Sequence, residues 1–581
     1  MKTKLFTAPL FLSVMAVCLA ACQKSPKDNP GNGNGSGPDT VVIIPPVDPA
    51  IANTIGFFLN DWAAKSFVQP TYTDTTLPAI APTVFVNVDA SSIITKVPGP
   101  VFGQNANVYM TPMITEPSLM SNITNLHPNV IRFPGGSLSD VYFWNEPGGV
   151  TPRDAPATLL DANGNAIAAG YWYGQNSQSW TASLDNYYSM LQQTGNQGII
   201  TINYAYARYG TGPAPVSTAA HLAADWVRYD NGRTQYWEIG NEDNGTWEAG
   251  YRIDLNNNHD GQAQIITGDL YGTHYTIFAD SMRAAAQQIG KTIYIGAQLL
   301  EKQPESWQTP TDQTWNTGVL TRVNASADFY IVHSYFTPYQ ENSSAAVILN
   351  TAIDNTTAMM NYLKTSFSNA GAVVKPVALT EWNITSQGSM QQVSYIDGMH
   401  AAILLGEALK NKYGETSRWD FANGWNNGND HGLFNIGDEP GVPKWNPRPA
   451  FYYMYYFQKT IGDRMLSSTI TGSTDILSYG SSYNSGQNAV IIVNKGTSLQ
   501  KIQVSLKNAV PGNRFYWYTL TGGTDNGEFS KKVFVNGKGP DNDSGGPSAY
   551  ESLNAYSATT ANGINISIPA RAVIYMVIDK K

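Results

Sequence analysis

Two stretches of the chain bring a lone carboxylate to the end of an apolar, β-rich run. They are Tyr236-Trp237-Glu238-Ile239-Gly240-Asn241-Glu242 and Val377-Ala378-Leu379-Thr380-Glu381-Trp382-Asn383. Two carboxylates facing each other across a cleft are the equipment for cleaving a glycosidic bond. One protonates the leaving oxygen while the other attacks or stabilises the anomeric carbon. A separation of roughly 5–5.5 Å between them implies retention of configuration, and roughly 6.5–9.5 Å implies inversion.

The elements around these stretches suit that arrangement. Between residues 101 and 459, short β-rich runs alternate with longer helical patterns, the mark of parallel βα units. Eight strands are expected, near Val101–Tyr109, Asn129–Phe133, Gly198–Tyr204, Thr234–Gly240, Thr292–Ala297, Asp328–Ser334, Val373–Glu381 and Arg418–Gly424. Eight units of this length predict a (β/α)8 TIM barrel, whose strand C-termini form the active face. Glu242 then lies at the mouth, with Glu238 deeper. An open doubly wound sheet is disfavoured because no G-x-G-x-x-G follows the first strand. Strands four and seven lie on opposite sides of such a barrel, so Glu242 and Glu381 can reach one sugar between them.

After residue 460 the helical period gives way to short alternating runs such as Ile502–Leu506 and Ile564–Ile568, which predict a C-terminal antiparallel β-sandwich over residues 460–581. With no obvious exposed row of tryptophans, the sandwich reads as a packing partner of the barrel. Residues 51–100 read as an N-terminal extension. Its strand-like part, Thr83–Lys96, can pair with the sandwich, and residues 51–82 carry no readable motif.

Other chemistries fall away. The formal charge of −9, from 35 basic and 44 acidic residues, offers no broad basic face for nucleic acid. Both cysteines, Cys18 and Cys22, lie in the first segment, so the body has no thiol for a disulfide, a zinc cluster or a nucleophile. The seven histidines form no H-x-x-x-H pair, and there is no G-x-S-x-G elbow. In Asp254–Gly261 the glycine is misplaced for a calcium loop and position twelve is Ile265, so a solvated loop is expected. No metal or organic cofactor is expected.

The motifs resemble those of clan A retaining glycoside hydrolases, in which an E-x-x-N-E strand end and a T-E-W strand end hold the two catalytic glutamates. Val130-Ile131-Arg132-Phe133-Pro134-Gly135-Gly136, then Tyr142 and Trp144, resembles the second-strand motif of the family 51 α-L-arabinofuranosidases, and Trp226-Val227-Arg228-Tyr229 fits the same pattern. The resemblance covers residues 83–581, and families 39, 30, 44 and 79 share parts of it. It implies that Glu242 is the general acid/base and Glu381 the nucleophile, and that Asn241 bonds the sugar 2-hydroxyl. Arg132 is expected under Glu381, keeping it ionised. Tyr335 is expected to donate to Glu381, and His333 to contact sugar or Glu242. Trp425, Trp382 and Trp144 are expected to offer stacking faces. Asn105 ends a first-strand motif, Phe102-Gly103-Gln104-Asn105, although the glutamate that family 51 normally carries here is absent from Asn105-Ala106-Asn107. The double displacement asks for Glu242 raised in pKa by an apolar wall and nearby negative charge, and for Glu381 held low by Arg132 and hydrogen bonds.

The first segment reads as an address. Lys2 and Lys4 precede the apolar run Leu5–Leu19, which closes at Leu19-Ala20-Ala21-Cys22. That run is short for a membrane span, and its end resembles the lipobox of bacterial lipoproteins, which implies cleavage after residue 21 and acylation of Cys22. Residues 22–50, rich in Gly, Pro, Asn and Ser, read as a flexible tether. The whole chain therefore reads as an exported retaining glycosidase, lipid-anchored at the bacterial cell envelope on the periplasmic or surface face of the outer membrane. Its substrate is expected to be plant or algal polysaccharide or its oligosaccharides, with α-L-arabinofuranosides first. An endo-acting glucanase or xylanase of the same clan and a non-catalytic glycan-binding lipoprotein are the alternatives.

Overall fold

The computed structural model describes residues 43–581. The expected signal segment, most of the expected tether and Cys22, the expected site of acylation, lie outside the described residues. Eight strands close a parallel barrel in chain order: β1 (Gly103–Asn105), β2 (Val130–Phe133), β3 (Gln197–Ile202), β4 (Tyr236–Ile239), β5 (Tyr294–Gln298), β6 (Phe329–Tyr335), β7 (Val377–Asn383) and β8 (Glu415–Arg418). β8 pairs back onto β1. β2, β4 and β7 are buried along their whole length, as strands covered on both faces must be, which is why they read as continuous apolar runs.

Two strands depart from the sequence expectation. β1 is only three residues long, because Val101 and Phe102 belong to a 3-10 turn, Gly99–Phe102. β1 and β8 approach so closely that a Cβ on Gly103 would lie 2.4 Å from Ser417 Oγ and 2.7 Å from the Thr416 carbonyl. The last barrel strand is Glu415–Arg418, not Arg418–Gly424. Arg418 ends it, and Ala422–Asn423 leaves the barrel to pair with Phe434–Asn435. The polar sequence of β8, buried at all four positions, gave no apolar period to read.

The C-terminal region is a β-sandwich built from one continuously hydrogen-bonded, eleven-stranded sheet around its own core, which includes Val86, Val490, Ile492, Phe515, Ile566 and Ile574. It is not wholly antiparallel. Val84–Lys96 inserts between Arg464–Thr471, antiparallel, and Gln500–Lys507, parallel, and Tyr72–Asp74 pairs parallel with the strand Ala555–Thr559. The sheet's other face joins the barrel core through Tyr518 and Tyr575, which pack on Tyr456 of the last helix, Pro449–Thr460.

Residues 51–82 have a definite task. Ile55, Phe58 and Leu59, around the turn Gly56–Leu59, pack on Val130, Ile199, Tyr236, Phe329 and Ala378 at the N-terminal ends of the strands. Phe57 stacks on Tyr294 with ring centroids 3.9 Å apart. The segment plugs the floor of the barrel, opposite the face where βα loops open.

Candidate active site

Arg132 is the hub of the mouth. It lies near the end of the apolar β2, fully buried, and all three of its guanidinium nitrogens are engaged. Nε donates to Glu238 at 2.5 Å, Nη1 to Asn105 at 3.1 Å and to Glu381 at 3.3 Å, and Nη2 to Asn241 at 2.9 Å. A buried guanidinium is tolerable only with such partners, and a planar fork holds several acceptors at fixed angles. Glu238, one pleat below the mouth on β4, is thus the principal counter-ion of Arg132, a role that sequence reasoning did not assign.

Just past β4 the chain turns sharply. Gly240 has φ 76° and Glu242 itself φ 48°, a left-handed conformation that is costly for a side-chain-bearing residue and recurs at functional sites. The turn lifts the Glu242 carboxylate over the mouth, where Oε1 meets His333 Nδ1 at 2.9 Å and Oε2 accepts from Trp247 Nε1 at 3.1 Å. Trp247 is a further partner missed in the sequence, although it lies only five residues on.

Glu381 points inward from β7, nearly buried. Tyr335 donates to its Oε1 at 2.6 Å, and Arg132 binds its Oε2. A register shift between Val332 and His333 in the β6–β7 ladder sets His333 opposite Glu381 and aims His333 and Tyr335 together at the carboxylate. His333 Nδ1 lies 3.7 Å from Glu381, and its Nε2 meets Thr380 Oγ1 at 3.2 Å. One oxygen of Glu242, one of Glu381 and a ring nitrogen of His333 all lie within 4.8 Å of one another. That spacing could also hold a metal ion, but the Arg132 guanidinium already supplies a cation there.

The charge balance reverses the expectation from sequence. Burial and the neighbouring Glu242 charge raise Glu381, more than His333, Arg132 and Tyr335 lower it. Burial also pushes Glu242 up, but the hydrogen bond and charge of His333, with help from Trp247 and Arg132, bring it below the ordinary value. His333 is raised, since the two carboxylates outweigh the desolvation that lowers it.

The remaining predicted residues fall into two groups. Asn241 and Asn105 are buried beneath the mouth. Asn241 bridges Arg132 and Glu248, and the Asn105 amide nitrogen donates to the Thr380, Ser417 and Arg418 carbonyls. Both orient the hub. Two of the three tryptophans are buried away from the carboxylates. Trp382 is fully buried on the helix side of β7, near His400. Trp144 is stacked on Trp226 and bonded to the Leu222 carbonyl. Trp425 lies half-buried between the Arg448 guanidinium and the Lys531 ammonium, 5.3 and 5.0 Å from its ring centre. The tryptophan that follows the last barrel strand is Trp419, whose ring would lie 2.6 Å from a Cβ on Gly136, which is why the second-strand motif needs glycine there. Beside it Asp420 and Asn107 are hydrogen-bonded, and Tyr109 is raised by burial and by the charges of Asp420 and Glu381.

Comparison with known proteins agrees with this geometry. Residues 122–345 match the family model described as alpha-L-arabinofuranosidase 1 domain, a span that holds Arg132, Glu242, His333 and Tyr335 and stops short of Glu381. An intracellular exo-alpha-(1->5)-L-arabinofuranosidase of Bifidobacterium longum is 20% identical over 279 residues, 45% of this chain and 43% of that protein. The match thus spans less than half the length of that relative. In fold the chain is similar to the family 51 α-L-arabinofuranosidase of Thermotoga petrophila, with TM-score 0.58 at 14% identity over 85% of this chain and all of the other. It is also similar to a bifunctional glucanase-xylanase from a metagenome library, with TM-score 0.54 at 14% identity over 86% of this chain and all of the other. In matched family model, in fold and in the motifs that end β4 and β7, this chain resembles the clan A glycoside hydrolases, near family 51.

Proposed function

We propose that the protein is a retaining glycoside hydrolase of the α-L-arabinofuranosidase type, acting on plant or algal polysaccharide or its oligosaccharides. The observation that carries this reading is the pair Glu242 and Glu381, at the ends of facing strands with oxygens within 4.8 Å, close to the roughly 5 Å of double-displacement sites. Glu381 attacks the anomeric carbon while Glu242 takes the proton of His333 through the Nδ1–Oε1 hydrogen bond and passes it to the glycosidic oxygen, leaving the imidazole neutral and Glu242 a carboxylate. Ester formation then removes the negative charge of Glu381, which lowers the proton affinity of Glu242 and His333. Glu242 is left as the carboxylate that deprotonates water for release of the sugar.

Release of aryl alcohol from a panel of aryl glycosides, arabinofuranosides included, tests the reading. The wild type should turn over at least one, and Glu381→Ala should lose about 10⁴-fold or more in kcat, as removal of a covalent nucleophile does. Equal rates for the two proteins, or glycan binding with no turnover on any glycoside, would defeat it.

An endo-acting glucanase or xylanase is the second reading. It is supported by the likeness to the glucanase-xylanase fold and by Trp247, Trp307 and Tyr339, exposed rings on the loops after β4, β5 and β6, the side on which a leaving chain would lie. A ladder of intermediate oligosaccharides would mark endo action, and monosaccharide alone exo action. Export and lipid anchoring rest on Lys2, Lys4 and the Leu19-Ala20-Ala21-Cys22 ending. Among the described residues no helix is long and apolar enough to cross a membrane. Cys22→Ser should move the protein from the membrane to the soluble fraction, and unchanged membrane retention would refute the anchor.

A further inference from the structure

A cavity of about 680 Å³ opens on the flank of the barrel between the loops after β1 and β2, the start of the helix Leu184–Thr194 and the end of the helix Pro215–Asp230. It is separate from the catalytic pair: neither Glu242, Glu381, Arg132 nor His333 lines it. Its size falls within the roughly 300–1,000 Å³ of small-molecule sites. Trp144 and the half-exposed Tyr229 form an aromatic wall, their rings 5.2 Å apart. Asn176, Gln178, Asp185 and Asn186 also line it. One carboxylate and several amides line it, with no lysine or arginine, so the lining suits a neutral, hydroxyl-rich ligand and not a phosphate or an acid.

The polar groups are half engaged. Asn176 Oδ1 accepts from the Gln178 backbone, Gln178 Oε1 from Trp180 Nε1 at 2.6 Å, and Asp185 Oδ1 from Tyr229. Asn176 Nδ2, Gln178 Nε2 and Asp185 Oδ2 have no partner among the described residues. Two donors and an acceptor beside an aromatic wall are the groups that bind vicinal hydroxyls and the apolar face of a sugar.

A line of rings runs from this cavity to the loop that follows β1. Tyr109, on the loop that follows β1, lies 6.4 Å from Trp172, which lies 5.8 Å, edge to face, from Trp180, and Trp180 is bound to Gln178 at the cavity. The loop that carries them is held in place: Ala182 N donates to Val108 O at 2.7 Å and Thr111 N to Trp180 O at 3.2 Å. Trp180 nonetheless remains 48% exposed, an ordered ring left in water.

We propose that this cavity, with Trp180 at its edge, is a distal glycan-binding site that holds a neutral oligosaccharide stretch of the same polysaccharide whose bond is cut at Glu242 and Glu381. The site rests on the carbohydrate reading of the catalytic centre, and its test separates the two. In the full chain carrying Glu381→Gln, affinity electrophoresis through gels containing soluble arabinoxylan, linear arabinan or xyloglucan should show retardation by at least one polymer. Trp180→Ala, and separately Asn176→Ala with Gln178→Ala, should weaken that retention about tenfold at unchanged Tm. With Glu381 intact, the same substitutions should leave aryl-glycoside turnover within about twofold and raise KM for the retarding polymer about tenfold. Retention unaffected by the substitutions, no retardation by any polymer, or an equal loss on aryl glycosides would each overturn the site. Loss of retention in the variants of a chain that hydrolyses no glycoside would leave the site standing and defeat the catalytic reading.

Discussion

Tyr335 and Arg132 approach the Glu381 carboxylate on different oxygens, so each can be removed without displacing the other. Tyr335→Phe deletes one hydrogen bond to a charged group, worth roughly 1.5–3 kcal/mol, and should lower kcat/KM about 10- to 100-fold. Glu381 attacks only when ionised, so activity is lost as pH falls through its pKa, which already stands above the ordinary 4.5. Removing a group that lowers that pKa must shift the acid limb of the kcat/KM profile further up. A profile displaced downward, or one that keeps its acid limb, would show that Tyr335 does not act through the carboxylate. The two glutamates, Arg132, His333 and Tyr335 were legible in sequence because each ends an apolar strand in a motif. Trp382 was misjudged for a reason the sequence also holds. Side chains alternate along a strand, so Trp382, next to an inward Glu381, must face the helix layer. Glu238, inward but deeper on β4, was set aside in favour of the mouth.

The floor plug is an element the sequence did not announce. Its Ile-Gly-Phe-Phe-Leu run is too short for any period, and its partners are the first residues of strands far apart in the chain. β8 was hidden for the opposite reason, polar residues buried by a closed sheet. Phe58 is 2% exposed and meets Tyr236 and Phe329 with centroids 5.1 and 5.6 Å away. Phe58→Ala should cost about 3–5 kcal/mol, as large cavities in cores do, and lower Tm, while kcat below the transition stays near wild type because the mouth is at the other pole. Thermal unfolding beside kinetics checks both, and a collapse of kcat at unchanged Tm would contradict the division of labour between floor and mouth.

The barrel and the sandwich share one apolar core. Tyr575 donates to the Tyr453 carbonyl at 2.8 Å, Tyr518 packs on Tyr456 at 4.8 Å, and Val84–Lys96 joins the sandwich before the barrel begins. A chain ended at residue 459 would leave this aromatic face in water and take strand partners from Val84–Lys96, so it should be insoluble, whereas the full body should unfold in one transition by calorimetry. Two separated transitions would show that the sandwich is a free module. At this scale the order of barrel then sandwich was readable from the change of period, and the pairing of Thr83–Lys96 with the sandwich from its strand-like pattern, but not the strand partners in this N-terminal stitching or the addition of Tyr72–Asp74, since pairing between residues so distant leaves no local trace. That stitching also sets a direction. Asp48 is bound to Arg464 and Lys96, and the next residues run to the floor plug, so the chain enters at the heel of the barrel while the carboxylates open at its crown. A surface that gripped the folded body directly at this heel would leave the cleft at the opposite pole open to solvent.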